Sequence, residues 1–223
     1  MSAMLNYKCL VLDHDDTAVK SSPDINYPSF LETLAALRPD YRPDFEEFMT
    51  YCCEPGFHAY CTEVLKFDER EMGLELETWR RFTASRVPEF YEGVADALRE
   101  YKAAGGVLCV VSHSYADNIR RDYERRCPDA PPDLVFGWEQ GEGRRKPDPW
   151  PIEETMRVYG FEAADLLVVD DMLTGHAMAQ SCGVKFACAG WSHAATPAIA
   201  KRMREHSEIY LETPKDMLAL LME

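Results

Sequence analysis

Six short runs of apolar residues recur along the chain, separated by longer and more polar segments. They cover residues 8–13 (KCLVLD), 106–112 (GVLCVVS), 133–137 (DLVFG), 166–171 (LLVVDD), 185–190 (KFACAG) and 208–212 (EIYLE). Runs of this length that are rich in valine and leucine are typical of strands buried on both faces of a sheet. The pattern therefore predicts six buried β-strands.

Segments with the spacing of amphipathic helices lie between most of these runs. Residues 93–106 (GVADALREYKAAGG) end in a glycine pair that suits a helix C-terminus, and residues 149–160 (PWPIEETMRVYG) begin with proline and end with glycine. Residues 174–183 and 196–206 also have helical spacing. This alternation predicts an α/β fold, a doubly wound, Rossmann-like parallel sheet with helices on both faces.

The long stretch between the first two runs breaks this alternation. It contains no strand-like run but several amphipathic pieces, at residues 27–38 (YPSFLETLAALR), 44–53 (DFEEFMTYCC) and 74–87 (LELETWRRFTASRV). We therefore expect an α/β core domain formed by residues 1–18 and 89–223. Residues 19–88 are expected to form a helical domain inserted after the first strand, called the helical cap below.

Polar side chains that could take part in catalysis or ligand binding follow the predicted strands. They are Asp13 and Asp15 after the first, Ser112 and His113 after the second, Asp170 and Asp171 after the fourth, and Lys146 in the loop GEGRRKPDP (141–149). The carboxyl ends of parallel strands lie at one edge of the sheet, so these residues should converge.

Carboxylates from two strands that face one crevice favour a hard cation, and Mg²⁺ is the natural candidate. Magnesium keeps several waters and is often completed by a phosphate oxygen, so a phosphorylated ligand is expected, with Lys146 and the Ser112 hydroxyl as donors to it. One aspartate of the Asp13/Asp15 pair can attack phosphorus while the other carries the proton.

Composition narrows the classes of partner. The chain has 223 residues, 46% of them hydrophobic and 28% charged, and a formal net charge of −15. Such a charge repels nucleic acid and anionic membranes, so neither is an expected partner, whereas a small phosphorylated metabolite is. No apolar stretch approaches the length of a membrane helix and the N-terminus lacks a signal-peptide core, so a cytoplasmic location is expected.

The eight cysteines indicate neither disulfides nor zinc. Cys9, Cys109 and Cys188 lie inside apolar runs, where cysteine behaves as a small hydrophobic residue. Cys52, Cys53 and Cys61 are clustered, but their spacing fits no zinc pattern well. We expect these residues to be structural.

Four ordered motifs make the chain resemble the haloacid dehalogenase superfamily, in its phosphatase and phosphomutase branch with a helical cap. These are DHDDT (13–17), the strand that ends in Ser112, Lys146 within RKPDP (145–149), and VVDD (168–171) with Gly175 beyond it. The resemblance extends over nearly the whole chain.

The resemblance implies a role for each matched residue. Asp13 corresponds to the nucleophile, and Asp15 to the general acid/base that also lends its backbone carbonyl to Mg²⁺. Asp171 matches the principal Mg²⁺ ligand and Asp170 the acidic ligand before it. The substrate phosphate is expected to meet Ser112, His113, Lys146 and Thr17, the last of which also fixes the loop around the nucleophile.

Two positions depart from the common pattern of the family. His113 stands where many relatives have asparagine. In the fourth motif, many relatives have Gly-Asp and a further aspartate four residues on. This chain has Asp170, Asp171 and Gly175 at those places, as does the subset that includes sugar phosphomutases and sugar phosphatases. Asp16 is expected to be a loop and capping residue, and His193 a structural one. The expected place of Arg144 and Arg145 is a solvated loop face.

The expected function is a Mg²⁺-dependent phosphatase that hydrolyses a small phosphomonoester through an aspartyl-phosphate intermediate. A sugar phosphomutase and a non-catalytic phosphate-binding module are the alternatives. A dehalogenase is disfavoured because Asp15 is present, and a phosphonate hydrolase has only Lys66 as a candidate cap lysine. The turn CCEPGFHAY (52–60) interrupts the cap helices; its Glu54, Phe57, His58 and Tyr60 either contact substrate or belong to an ordinary turn.

Overall fold

A computed structural model describes residues 4–222, which contain a six-stranded, fully parallel sheet. The strands are β1 Cys9–Leu12, β2 Val107–Val111, β3 Leu134–Phe136, β4 Leu166–Asp170, β5 Lys185–Ala189 and β6 Tyr210–Leu211. Their order across the sheet is β3-β2-β1-β4-β5-β6. All six predicted strands are present, and the α/β fold is confirmed. β1 lies at the centre, with Leu10 paired to Leu108 on one side and to Leu167 on the other.

Helices cover both faces of the sheet and form the helical cap. They are α1 Tyr27–Leu37, α2 Phe45–Tyr51, α3 Phe57–Ala59, α4 Glu69–Ser85, α5 Val94–Ala103, α6 Ala116–Arg126, α7 Trp150–Tyr159, α8 Leu173–Ser181, α9 Pro197–His206 and α10 Pro214–Leu221. Short π-helical turns at Ser22–Asn26, Cys52–Gly56 and Tyr60–Val64 extend the cap helices. Short 3₁₀ turns lie at Trp138–Gln140, Ala163–Asp165 and Gly190–Ala195.

The period-two pattern of the strands divides the core between the two faces of the sheet. Leu10 and Leu12 of β1 pack in the cluster that contains residues of α5, α6 and α10. Cys9 and Val11 point to the opposite face, where the cluster contains residues of α7, α8 and α9. Because both faces are covered, alternate side chains of a strand are equally buried, which explains the continuous apolar runs.

The helical cap is joined to the core through two segments that run side by side. Val19 forms an antiparallel bridge with Phe90. The Lys20 amide donates to the Glu89 carbonyl at 2.8 Å, and the Tyr91 amide donates to the Ala18 carbonyl at 3.0 Å. The chain thus leaves the core and returns to it at one place.

An aromatic cluster fills the interior of the cap. Phe30, Phe48, Phe57 and Tyr60 pack with ring centroids 5.2–6.4 Å apart. Tyr60 is fully buried, and its hydroxyl lies 2.8 Å from that of Tyr41. Of the two alternatives left open for Tyr60 of the 52–60 turn, the burial of its ring favours a structural place in the interior of the cap.

None of the helices in residues 4–222 has the length and apolar character that would let it cross a membrane. All eight cysteines are free thiols.

Candidate active site

The ends of β1 and β4 bring the two acidic motifs together. Asp13 directly follows β1, Asp170 is the last residue of β4, and the Asp13 amide donates to the Val169 carbonyl at 2.9 Å. The strand order reverses between these two neighbouring strands, which is where open α/β sheets bind ligands.

Lys146 lies between these carboxylates. Its Nζ is 2.5 Å from Asp13 Oδ1 and 2.6 Å from Asp170 Oδ2, and all three side chains are at most 5% exposed. Burial lowers the pKa of the lysine, but the two carboxylates outweigh that effect and raise it above the ordinary value. Lys146 is therefore a fully charged donor at the centre of the cluster.

Three carboxylates form a group that could hold a metal ion. One oxygen each of Asp13, Asp170 and Asp171 lies within 4.8 Å of the others, and all three residues are buried. Burial raises the pKa of Asp13 to about 7 despite Lys146, and the Asp170 and Asp15 carboxylates add to the rise. Burial also raises the pKa of Asp171 well above the ordinary value.

The group contains three buried carboxylates and one ammonium, so its negative charge is only partly neutralised. An all-oxygen donor set with surplus negative charge fits a small divalent cation such as Mg²⁺. The carboxyl of Asp15 does not belong to this group.

Asp170 is held tightly at the start of α8. The Met172 amide donates to Asp170 Oδ1 at 2.8 Å. A Cβ atom at Gly175 would overlap the carboxyl group of Asp170. Glycine at position 175 thus allows α8 to approach the carboxylate closely, which gives the second departure from the family pattern a physical reason.

Asp171 is held from both its side chain and its backbone. The Thr17 hydroxyl donates to Asp171 Oδ1 at 3.3 Å. The buried His193 Nε2 lies 3.0 Å from the Asp171 carbonyl and must donate to it, because a carbonyl only accepts. Burial lowers the pKa of His193 to about 4, so this histidine is neutral. Its position agrees with the structural role expected for it.

Asp15 faces the end of β2 instead of the acidic group. The Ser112 hydroxyl donates to Asp15 Oδ2 at 2.7 Å and accepts from the Ser114 amide at 2.9 Å. Although burial raises the pKa of Asp15, the nearby His14 and the hydroxyl donors outweigh it and leave the pKa below the ordinary value. Asp13 and Asp15 thus lie in opposite electrostatic environments.

The other residues expected to bind phosphate have their own partners. Thr17 is fully buried, with its hydroxyl on Asp171 and its carbonyl accepting from the Trp191 indole at 3.0 Å. This arrangement fits the loop-fixing role and not a hydroxyl aimed at phosphate. The exposed His113 lies with Nε2 2.8 Å from the Lys146 carbonyl, so its contact supports the lysine loop.

The expected loop residues also have defined positions. Asp16 has a left-handed backbone, with φ 58°, and its Oδ1 accepts from the Ser22 amide at 3.0 Å. It therefore links the loop after β1, residues 13–17, to the first turn of the cap. Arg145 lies over the half-exposed Trp138 ring at 3.6 Å and Arg144 over Trp150 at 5.2 Å, so each arginine has an aromatic partner.

The 52–60 turn contacts the core through Glu54, which forms an ion pair with Arg202 of α9. Gly56 has φ 102°, a conformation that favours glycine. Phe57 packs inside the cap, whereas His58 is exposed.

Sequence reasoning missed a buried group behind the site. His14, between Asp13 and Asp15, lies with Nε2 3.2 Å from Asp122 Oδ2, and Asp122 in turn contacts Arg121 of the same helix. A histidine between two aspartates was the local signal, but the sequence does not show that Asp122, 108 residues away, would be its partner.

With this geometry in hand, comparison with known proteins gives the family. The haloacid dehalogenase-like hydrolase family matches residues 10–189, so the chain belongs to it. The predicted resemblance and the prediction of a hydrolytic enzyme are confirmed.

Similar proteins agree over nearly the full length. The chain is 25% identical over 218 residues to a phosphoglycolate phosphatase of Aquifex aeolicus, covering 96% of each chain. Its fold is similar to a Lactobacillus plantarum protein assigned as a phosphoglycolate phosphatase, with TM-score 0.78 and 18% identity over 97% of this chain and 100% of the other. It is also similar to a CbbY variant from Rhodobacter sphaeroides solved with xylulose-1,5-bisphosphate, with TM-score 0.73 and 19% identity over 98% and 99%.

Proposed function

We propose that this protein is a Mg²⁺-dependent phosphatase that hydrolyses a small phosphomonoester through an aspartyl-phosphate on Asp13. The observation that carries the proposal is the buried ammonium of Lys146, within 2.6 Å of both Asp13 and Asp170. An ammonium in this position can stabilise negative charge on the carboxylates and, as the phosphoryl group is transferred, on the phosphoryl oxygens.

Magnesium would be held by the carboxylates of Asp13, Asp170 and Asp171, together with the Asp15 backbone carbonyl. When bound, the ion neutralises charge on the phosphoryl group and orients it. Thr17 and His193 restrict Asp171, and Gly175 lets α8 restrict Asp170. The metal-binding carboxylates are therefore already oriented before Mg²⁺ binds, which reduces the free-energy cost of ordering them.

In the first step, the carboxyl group of Asp13 has to be ionised. The positive charge of Lys146 favours this form because it lowers the pKa of Asp13. An Asp13 oxygen forms a bond to phosphorus while the bond from phosphorus to the leaving oxygen breaks. Asp15 gives its proton to that leaving oxygen, so the product is a neutral alcohol. Lys146 and Ser112 bind the phosphoryl oxygens.

Ser112 links phosphate binding to the proton on Asp15. Its hydroxyl favours the ionised form of Asp15 as long as it donates there. When the hydroxyl turns to a phosphoryl oxygen, Asp15 loses that donor and its pKa rises, which favours the protonated acid. In the second step the ionised Asp15 takes a proton from water, whose oxygen attacks phosphorus and releases Asp13.

The helical cap, residues 19–88, is proposed to act as a separate domain that covers the site and selects the leaving group. The paired connections at Val19 and Phe90 support this boundary, because few residues there need to change backbone conformation. A covered crevice favours a small metabolite as substrate. The relatives named for phosphoglycolate phosphatase activity and the CbbY complex with a sugar bisphosphate support the same class.

The test is phosphate release from a panel of phosphoglycolate, sugar phosphates and nucleotides, with and without Mg²⁺. Asp13→Asn should lower kcat on the order of 10⁴-fold or more while the circular dichroism spectrum stays unchanged. Asp129→Asn, an exposed aspartate, serves as the matched control. Turnover of Asp13→Asn at the wild-type rate would refute the mechanism, and phosphate transfer to a second sugar hydroxyl without release would identify the phosphomutase alternative.

A further inference from the structure

His14 occupies an unusual position for a buried histidine. It lies between the candidate nucleophile and the candidate acid, yet its side chain is 2% exposed and points to Asp122 of α6, with Nε2 3.2 Å from Oδ2. Its backbone carbonyl accepts from the Ala18 and Val19 amides, each at 3.0 Å. The placement of His14 therefore sets the turn that carries the catalytic loop into the cap.

Arg121 continues the contact from Asp122 to the cap. Its Nε and Nη2 donate to Asp122 Oδ1 at 2.9 and 2.6 Å, and its Nη1 donates to the Thr83 carbonyl at 2.6 Å. Thr83 belongs to the C-terminal part of α4 in the helical cap. One planar guanidinium thus binds the core and the cap at once, with its donors in a fixed relation.

The side chains of His14, Arg121 and Asp122 also line a small cavity between cap and core. Its wall includes Asp15 and the cap residue Trp79. His14 Nδ1, buried like the rest of the ring, has no hydrogen-bond partner among residues 4–222. Nε2 therefore makes the hydrogen bond of the ring, so Asp122 orients the imidazole.

We propose that Arg121, Asp122 and His14 form a positioning chain that couples the seating of α4 to the placement of Asp15. When α4 lies against the core, Thr83 fixes Arg121, which fixes Asp122, which fixes His14 and the loop beside it. The positioning chain acts by fixing the position of Asp15 and does not touch the substrate. Its catalytic consequence rests on the proposed function, in which Asp15 is the acid, whereas the mechanical coupling does not.

The first test is Arg121→Lys. Lysine keeps the charge but lacks the planar guanidinium with its several N–H donors, so it cannot bind Asp122 and the Thr83 carbonyl in the same way. We expect kcat to fall about tenfold or more, because Asp15 is misplaced in the transition state, while KM changes by less than about twofold, because Ser112 and Lys146 are untouched. Arg120→Lys, at an exposed site on the same helix, is the matched control and should leave both constants unchanged.

The second test compares two variants of His14. His14→Gln retains an amide donor for Asp122, so it should recover most of the kcat that His14→Leu loses. A purely structural role would not make kcat depend on this donor when the two proteins are equally folded. Should His14→Leu fail to fold, Arg121→Lys and His14→Gln still decide the result.

Amide hydrogen exchange tests the coupling without a substrate. In Arg121→Lys, the amides of Ala18 and Val19 should exchange about tenfold faster than in wild type and in Arg120→Lys. Unchanged exchange, or kcat equal in Arg121→Lys and wild type, would overturn the positioning chain. Wild-type protein that releases no phosphate would overturn the proposed function instead, and the exchange result would still decide the coupling.

Discussion

Lys146 Nζ lies 2.5 Å from Asp13 Oδ1, so a buried ammonium and the candidate nucleophile form a direct ion pair. The second contact of Lys146, with Asp170 on β4, makes the lysine a bridge between the two central strands of the sheet. The proposed mechanism requires this pair to remain charged, yet burial alone favours a neutral Asp13. Removal of either charged group therefore shifts the pKa of the other.

Replacing Lys146 with methionine should reveal this balance. Without the ammonium, Asp13 and the phosphoryl oxygens lose a cationic partner, so the ionised nucleophile and the transition state are less stabilised and kcat falls on the order of 10²-fold or more. Two buried carboxylates also lose their partner, which should lower the free energy of unfolding by about 3–5 kcal/mol in EDTA. Urea denaturation and phosphate release measure the two effects.

A surface pair provides the control for Lys146→Met. Lys185 contacts Glu208 at 2.6 Å, with the two side chains 43% and 81% exposed. Lys185→Met should cost at most about 1 kcal/mol, because water screens the pair. Equal losses of stability in the two variants would contradict the account of Lys146 as a buried compensating charge.

Magnesium should stabilise the folded protein through the acidic group. At a concentration about 100 times its Kd, the ion adds about 2.7 kcal/mol. For a chain of this size that corresponds to a rise in Tm of roughly 5–10 °C relative to EDTA. Asp171→Asn should abolish most of this increment and Asp129→Asn should retain it, as measured by thermal unfolding without substrate. An equal increment in all three proteins would place the metal elsewhere.

The sequence predicted the sheet and the acidic group because two simple rules governed them. Buried parallel strands have to be apolar on both faces, so β1, β2 and β4 stood out as continuous runs. Polar residues that follow such strands converge at one edge, so Asp13, Lys146 and Asp170 could be placed together before any distance was known.

The group around His14 escaped prediction for physical reasons. His14 and Asp122 are 108 residues apart, and their hydrogen bond depends on how α6 packs on the sheet. Helix α6 is mostly charged, and although its apolar residues Ala116, Ile119 and Tyr123 recur at helical spacing, they are too few to show from the sequence where Asp122 would lie. The role of Tyr60 stayed open for a related reason, since only the packed cap shows that this side chain is buried.

Gly175→Ala should damage the site although it adds only a methyl group. The new Cβ would overlap the Asp170 carboxyl, which also accepts from Met172 and cannot move freely. We expect a loss of about 1–3 kcal/mol in the free energy of unfolding and weaker Mg²⁺ binding. Gly73→Ala is the matched control, because nothing lies within 4 Å of that Cβ in helix α4 and alanine should stabilise the helix by about 1 kcal/mol. The prediction fails if the two changes have the same sign.

Glu75 of α4 should make stability depend on pH. It is 7% exposed, and burial raises its pKa from 4.5 to about 7. Below pH 4.5 the carboxyl is protonated in both the folded and the unfolded chain, so it costs nothing. As the pH rises from 4.5 to about 7, the unfolded chain loses the proton first, and the contribution to stability falls by about 3 kcal/mol. Above pH 7 both states are ionised and the loss is constant.

Glu75→Gln removes this titration while it keeps the shape of the side chain. Relative to wild type, the variant should therefore gain stability between pH 4.5 and 7, by up to about 3 kcal/mol in urea denaturation series. Glu77→Gln, at an exposed position of the same helix, should follow the wild-type pH profile. A Glu75→Gln curve parallel to wild type through this window would mean that Glu75 is ionised in the folded protein, and a cationic partner for it would then have to be sought at the contact between cap and core.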